Sequence, residues 1–193
     1  MATLSLLAGW LGTAAEFDWH AGPGHRWAEL PVPGKGHTGF TPLTGAQTGL
    51  TFTNLLADER GIANRNLLSG SGLAAGDVDG DGWCDLYLCG LDHGDRLYRN
   101  LGGWKFADIT AAAGLARPGQ DSTGAVFADV DGDGHLDLLV ASLGHGVRAF
   151  RNDGKGHFTQ FTEAAGLTSR AGSMSLALAD VDGDGDLDLY VAN

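Results

Sequence analysis

Apolar residues in this chain come in short runs, separated by glycine-rich turns, and the runs return at a fixed interval. Leu73-Ala-Ala-Gly, Ala125-Val-Phe-Ala and Leu176-Ala-Leu-Ala open each round with small and apolar residues. After a polar loop follows a second run: Leu86-Tyr-Leu-Cys, Leu138-Leu-Val-Ala or Leu189-Tyr-Val-Ala. Consecutive apolar positions in a short run predict a strand covered on both faces. A third run, Arg96-Leu-Tyr-Arg-Asn100 or Arg148-Ala-Phe-Arg-Asn152, alternates like a strand with one face half exposed. A fourth strand is predicted over Phe106–Thr110 and Phe158–Thr162. No amphipathic helix fits the period. Four short antiparallel strands per unit, repeated and stacked, are the pattern of a β-propeller. The expected fold class is therefore all-β, a partial β-propeller of four-stranded antiparallel blades with a polar loop between the first two strands of each. The blades fall at 73–115 and 125–167, with an incomplete one at 173–193. The small residues of the first strand suit a position near a crowded central axis.

The polar loop carries the chemistry. Asp77-Val-Asp-Gly-Asp-Gly-Trp-Cys-Asp85 places carboxylates Asp77, Asp79, Asp81 and Asp85 at loop positions 1, 3, 5 and 9. The pattern returns as Asp129, Asp131, Asp133 and Asp137, then as Asp180, Asp182, Asp184 and Asp188, at intervals of 52 and 51 residues. Glycines between the carboxylates permit a tight backbone that turns alternate side chains inward, around one hard cation. Without a cation, four carboxylates so close together repel one another. Oxygen ligands in that number suit Ca²⁺ better than Mg²⁺, which keeps its waters. Three Ca²⁺ sites are expected. An EF-hand needs a bidentate Glu at position 12, and here that position is Leu88, Val140 and Val191. A plain Asp-Gly hairpin turn would not require the fourth aspartate in every copy.

Together, the aspartate loops, the Arg-Asn pairs and the Ala-Ala-Gly-Leu segments at 112–115 and 164–167 resemble FG-GAP or VCBS repeats. Such repeats build the propellers of integrin α-subunits and of many bacterial secreted proteins, and the look is nearest to the cartilage acidic protein group. The resemblance implies Ca²⁺ held by the carboxylates at positions 1, 3, 5 and 9 and by the backbone carbonyl at position 7. Those carbonyls belong to Trp83, His135 and Asp186. Such propellers usually have seven blades, and this chain supplies fewer than three. An open piece of a larger ring is thus expected, with Leu50-Thr-Phe-Thr-Asn54 as the closing strand of an absent last blade.

Composition alters this picture little. Glycine accounts for 32 of 193 residues and serves the turns. The net charge is −12, yet 12 of the 24 acidic residues are the loop aspartates, so acidity does not call for a basic partner. No Lys/Arg cluster suggests nucleic acid. Residues 2–15 form an uncharged, mostly apolar run ending in small residues, like a secretory leader without its basic start. The run is too short to span a membrane, and no later run is long enough. Residues 16–49, with four of the five prolines, read as an extended lead-in. Cys84 and Cys89 stand five apart on one expected strand, beyond disulfide reach, and read as two buried thiols. His93-Gly94 and His145-Gly146 read as hairpin turns.

Two functions follow as expectations. One is a Ca²⁺-binding extracytoplasmic scaffold for binding or adhesion, its partner a protein or a carbohydrate. The alternative is the propeller portion of a secreted carbohydrate-active enzyme whose catalytic part lies outside these residues. No nucleophile elbow, phosphate loop or Cys/His metal motif appears in the sequence.

Overall fold

A computed structural model describes residues 18–29 and 39–193. The leader expected over residues 1–15 lies outside the described residues. The chain divides into two units, Met1–Thr41 and Pro42–Asn193. In the first unit, strands β1 (His20–Gly22) and β2 (His25–Trp27) pair as an antiparallel hairpin. His20 stacks on Trp27 across it, with ring centroids 4.5 Å apart. Residues 20–27 of the lead-in thus turn back on themselves.

In the second unit the repeating runs fold as their patterning predicts. β3 (Leu73–Gly76), β4 (Asp85–Leu88), β5 (Arg96–Asn100) and β6 (Phe106–Asp108) form one antiparallel sheet in sequence order. β7 (Ser122–Ala128), β8 (Asp137–Ser142), β9 (Gly146–Asn152) and β10 (Phe158–Gln160) repeat it. β11 (Ser175–Ala179) and β12 (Asp188–Ala192) form a two-stranded sheet equivalent to the inner half of a blade. The register is the same in all three: Gly76 faces Asp85, Ala128 faces Asp137 and Ala179 faces Asp188. His93 and His145 sit in the turns that precede β5 and β9, as expected.

The blades meet through their faces. Leu138 and Val140 of β8 pack toward Ala74, Val78, Tyr87 and Leu97 of the first blade. Leu139, between them in sequence, packs on the opposite face with Leu176, Leu178, Leu189 and Val191 of β11 and β12. Alternate residues of one strand thus feed two different cores, which is why the run is apolar without a break. Inner strands lie side by side, β3 against β7 and β7 against β11. Their small residues permit this: a Cβ on Gly72 would come within 3.0 Å of the Gly124 Cα. Backbone bonds cross the gap, from Gly72 N–H to Thr123 O at 2.8 Å and from Ser122 N–H to Gly90 O at 3.3 Å.

One expectation fails near the start of this unit. Residues 50–54 hold no strand. The copy of the repeat lies slightly earlier, at Thr44–Leu50, where helix α1 (Gly45–Thr48) ends in Gly49 with φ 84°. Gly49-Leu50 matches Gly114-Leu115 and Gly166-Leu167 in sequence and in positive φ. Gly49 lies against the Phe106 carbonyl as Gly114 lies against that of Phe158. From Leu50 to Asp77 is 27 residues, against 14 from Leu115 to Asp129. Helix α2 (Asp58–Ala63) and a 3₁₀ turn (Arg65–Ser69) take up the excess. Arg60 of α2 ties this insertion to the blades through ion pairs with Asp92 and Asp121.

A buried carboxylate joins the first two blades. Asp95 accepts from Gly90 N–H at 2.8 Å, Tyr87 O–H at 2.7 Å and Ser122 O–H at 2.8 Å, the last across the interface. Burial lifts its carboxyl above the usual range. Such a group binds protons more tightly folded than unfolded, so it makes stability fall as pH rises from the ordinary carboxylate value through the raised one. Asp95→Asn should flatten that part of the profile, followed by urea unfolding between about pH 4 and 7. An unchanged slope would place the titration elsewhere.

Candidate metal centre

Each aspartate loop is folded by its own carboxylates. At position 1, Asp77 Oδ1 accepts from the N–H groups of Gly80 and Asp81 at 2.9 and 3.1 Å, and Oδ2 from Gly82 at 2.8 Å. Asp129 does the same with Gly132, Asp133 and Gly134. Asp180 accepts from Gly183 and Gly185. Curling successive N–H groups onto one carboxylate needs positive φ at positions 4 and 6. Gly80 and Gly82 stand at 72° and 88°, and their equivalents in the other loops at 74° to 96°. That conformation favours glycine, which explains its place in every copy.

Position 9 closes the loop. Asp85, fully buried, accepts from Val78 N–H at 3.0 Å and from Asn100 N–H at 2.7 Å. Asp137, also fully buried, accepts from Val130 N–H at 3.4 Å and Asn152 N–H at 2.8 Å. Asp188 accepts from Val181 N–H at 2.9 Å. The Asn side chains add to this: Asn100 donates to Cys84 O, while Asn152 donates to Leu136 O and, across the blade interface, to Val78 O at 2.8 Å. The Arg-Asn pairs are thus repeat-bound contacts, and Asn152 also bonds one blade to the loop of the one before.

Three carboxylates gather in each loop. Asp77, Asp79 and Asp85 bring ligand oxygens within 4.8 Å of one another, as do Asp129, Asp131 and Asp137, and Asp180, Asp182 and Asp188. These are positions 1, 3 and 9. The position-5 residues Asp81, Asp133 and Asp184 stand outside the groups and accept the N–H of Trp83, His135 and Asp186, each at 2.9 Å. Position 5 is thereby tied to position 7, whose carbonyls the family resemblance marks as ligands.

Arginines of the third strand bear on the same carboxylates. Arg99 Nε lies 2.6 Å from Asp79 Oδ2 and its terminal nitrogen 3.0 Å from Asp81 Oδ2; Arg151 Nε lies 2.7 Å from Asp131 Oδ2. The sequence carried the signal, an arginine in the same place of each third strand, but not the direction of the side chain.

The geometry favours a cation at this point. The Asp79 side chain is 9% exposed, and its Oδ1 is buried without any hydrogen-bond donor. A buried carboxylate oxygen left so is costly. A hard cation held by Asp77, Asp79 and Asp85 would satisfy it, and an all-oxygen, carboxylate-rich donor set suits Ca²⁺. Burial, with the like charges of Asp79 and Asp81, lifts the Asp85 carboxyl; Asp137 is lifted the same way beside Asp131 and Asp133. The Trp83 N–H, helped by Arg99, holds Asp81 below the usual range. Asp131→Ala should lower Ca²⁺ stoichiometry by one and spare the other loops, because stacked repeats interact chiefly with their neighbours. Loss of all Ca²⁺ binding in that variant would show coupling that separate loops do not provide.

The cysteines correct one expectation. Cys89 is buried, and burial raises its thiol pKa, but Cys84 is exposed. β4 begins at Asp85, so Cys84 belongs to the loop and escapes the strand's covered faces.

The sequence profile of FG-GAP-like repeats matches residues 77–140 and again 129–191, each match running from one aspartate loop into the strand after the next. No curated protein matches the chain. With matched loops, matched blades and the matched span covering more than half its length, the chain belongs to the FG-GAP-like repeat family.

Proposed function

We propose that this chain is a Ca²⁺-binding propeller scaffold that works outside the cytoplasm and presents its blades to a protein or carbohydrate partner. The observation that carries this reading is the threefold recurrence of the same carboxylate group, always between the inner two strands. FG-GAP-like repeats are scaffolding units, and the loop carboxylates are engaged in folding the loop, where they accept backbone N–H groups. Ca²⁺ here is structural. It would fix the turn between two strands and relieve the repulsion among the carboxylates. Extracellular Ca²⁺ modules work at about 10⁻⁴–10⁻³ M, a level met outside the cytosol. No helix among the described residues is long and apolar enough to cross a membrane. Fractionation of cells that make the native protein should recover it from the extracytoplasmic fraction. Recovery from the cytosol, intact and unprocessed, would overturn the location.

A further inference from the structure

The three aspartate loops share one pattern but not one setting. At position 2, Val78 is 2% exposed, Val130 is partly buried and Val181 is 80% exposed. At position 3 the Asp79 side chain is 9% exposed and that of Asp131 25%, while the third loop exposes all three of its gathered carboxylates. The arginines do not make the difference between the first two loops, since Arg99 and Arg151 pair with position 3 alike. What differs is the neighbouring blade.

The turn between β9 and β10, residues 153–157, lies on the first loop. Gly156 is buried there, and a Cβ on it would stand 3.7 Å from Val78 Cγ2 and 3.8 Å from Asp79 Cβ. Asn152 holds the turn in place. Its Oδ1 accepts from Gly154 and Gly156 N–H at 3.1 and 3.2 Å, and its Nδ2 donates to Val78 O at 2.8 Å. Phe158 N–H crosses the same interface to Ala113 O at 2.9 Å. The second loop is followed by β11 and β12, with no such turn among the described residues, and the third by no further strand. Asp79 adds an independent sign that this setting serves a ligand. The turn packs on its carbon atoms, yet its Oδ1 stays buried without a donor, a costly state unless a cation completes it.

We propose that the β9–β10 turn of the second blade is a wall of the first blade's Ca²⁺ site. By shielding Asp79 from water it makes the first loop bind Ca²⁺ more tightly than the other two, and Ca²⁺ held there clamps the second blade onto the first. The proposal rests on the reading of the loops as Ca²⁺ sites. Opposite charges attract more strongly where less water surrounds them, and the ion would satisfy the Oδ1 that the fold leaves bare. Linkage makes the effect mutual: whatever affinity the first loop gains from the docked turn, the docking gains from the ion. Asn152 and Gly156 act through Val78 and Asp79, as positioning residues.

Nitrogen–proton NMR of the full chain, titrated with Ca²⁺ from the metal-free state, reads the loops one by one. Gly82, Gly134 and Gly185 report on them, because their N–H groups donate to Asp77, Asp129 and Asp180. Gly82 should respond first, at a concentration about tenfold or more below that for Gly185. Gly156→Leu, which crowds Val78 and Asp79, should raise the Gly82 midpoint by about tenfold and leave that of Gly134, in the substituted blade itself, in place. Gly156→Ala bears the same strain at φ 77° but brings only ordinary contacts, so its Gly82 midpoint should stay near that of the parent chain. The unsubstituted chain supplies a readout that no misfolded variant can spoil: exchange of the Phe158 N–H should slow as the Gly82 signal saturates, before Gly134 responds. Equal midpoints at the three glycines, a Gly156→Leu shift as large at Gly134 as at Gly82, or the same Gly82 shift with alanine overturns the proposal. So does Phe158 exchange that ignores the first ion. Ca²⁺ bound at all three loops with equal midpoints removes the wall and leaves the Ca²⁺ sites, whereas no response at any glycine removes both.

Discussion

Asp137→Ala is expected to destabilise the fold by about 3–5 kcal/mol, a large share of the 5–15 kcal/mol that holds a typical domain together. The side chain is fully buried and accepts from two backbone N–H groups, at Asn152 and Val130. Alanine leaves both without their acceptor, each at about 1–3 kcal/mol, and opens a void beside them. The Asn152 N–H belongs to the residue whose side chain bonds Leu136 O and Val78 O, so the damage reaches the interface with the first blade. Urea unfolding in the presence of a chelator isolates this effect from any metal. A loss below about 1 kcal/mol would mean that the position-9 carboxylate is not the closure of the loop. Asp133→Ala is the contrast: that side chain is exposed and accepts one N–H, from His135, and its removal should stay near the small values of surface changes.

Withdrawal of Ca²⁺ should lower the stability of the molecule by the sum of what its three loops lose. At a free concentration about ten times the dissociation constant, each site adds about 1.4 kcal/mol of stability, and three sites about 4. For a chain of this length that corresponds to a fall of roughly 10 °C in Tm on chelation. The sequence of events should follow exposure. In the third loop Asp180, Asp182 and Asp188 are all exposed, whereas the first two loops each bury the position-9 aspartate. Hydrogen exchange after chelation should therefore rise first in residues 180–188, and uniform exchange across the three loops would speak against independent sites.

Much of the fold was legible in the residues because two signals agreed. Apolar runs marked the strands, and the aspartate loops fixed where one strand ended and the next began. β3 and β5 fall where the patterning put them, and β8 shows why its run is unbroken, since Leu138 and Leu139 serve different cores. The strand expected at 50–54 was misplaced for a physical reason. The copy at Thr44–Leu50 keeps only its closing Gly-Leu, and the α2 insertion spoils the interval that would have revealed it. Cys84 was misjudged because a strand boundary moved by one residue exchanges a covered position for an open one.

The site was legible in its ligand types and less so in its division of labour. Spacing puts four aspartates in each loop, but it does not show that positions 1 and 9 spend their oxygens on backbone N–H groups. Nor does it show that Asp81, Asp133 and Asp184 turn to the N–H two residues on. The arginine pairing could not be read either, since it depends on which way the long side chains of Arg99 and Arg151 lie across the sheet. Asp79 Oδ1 is where these features meet: one oxygen of the carboxylate faces Arg99, and the other is buried without a donor.

Whether these loops are Ca²⁺ sites is decided by calorimetric titration of the metal-free chain. Three Ca²⁺ per chain should bind, with Mg²⁺ much weaker because it would have to give up waters to enter a wide carboxylate cage. Absence of Ca²⁺ binding at neutral pH, or equal preference for Mg²⁺, would contradict it.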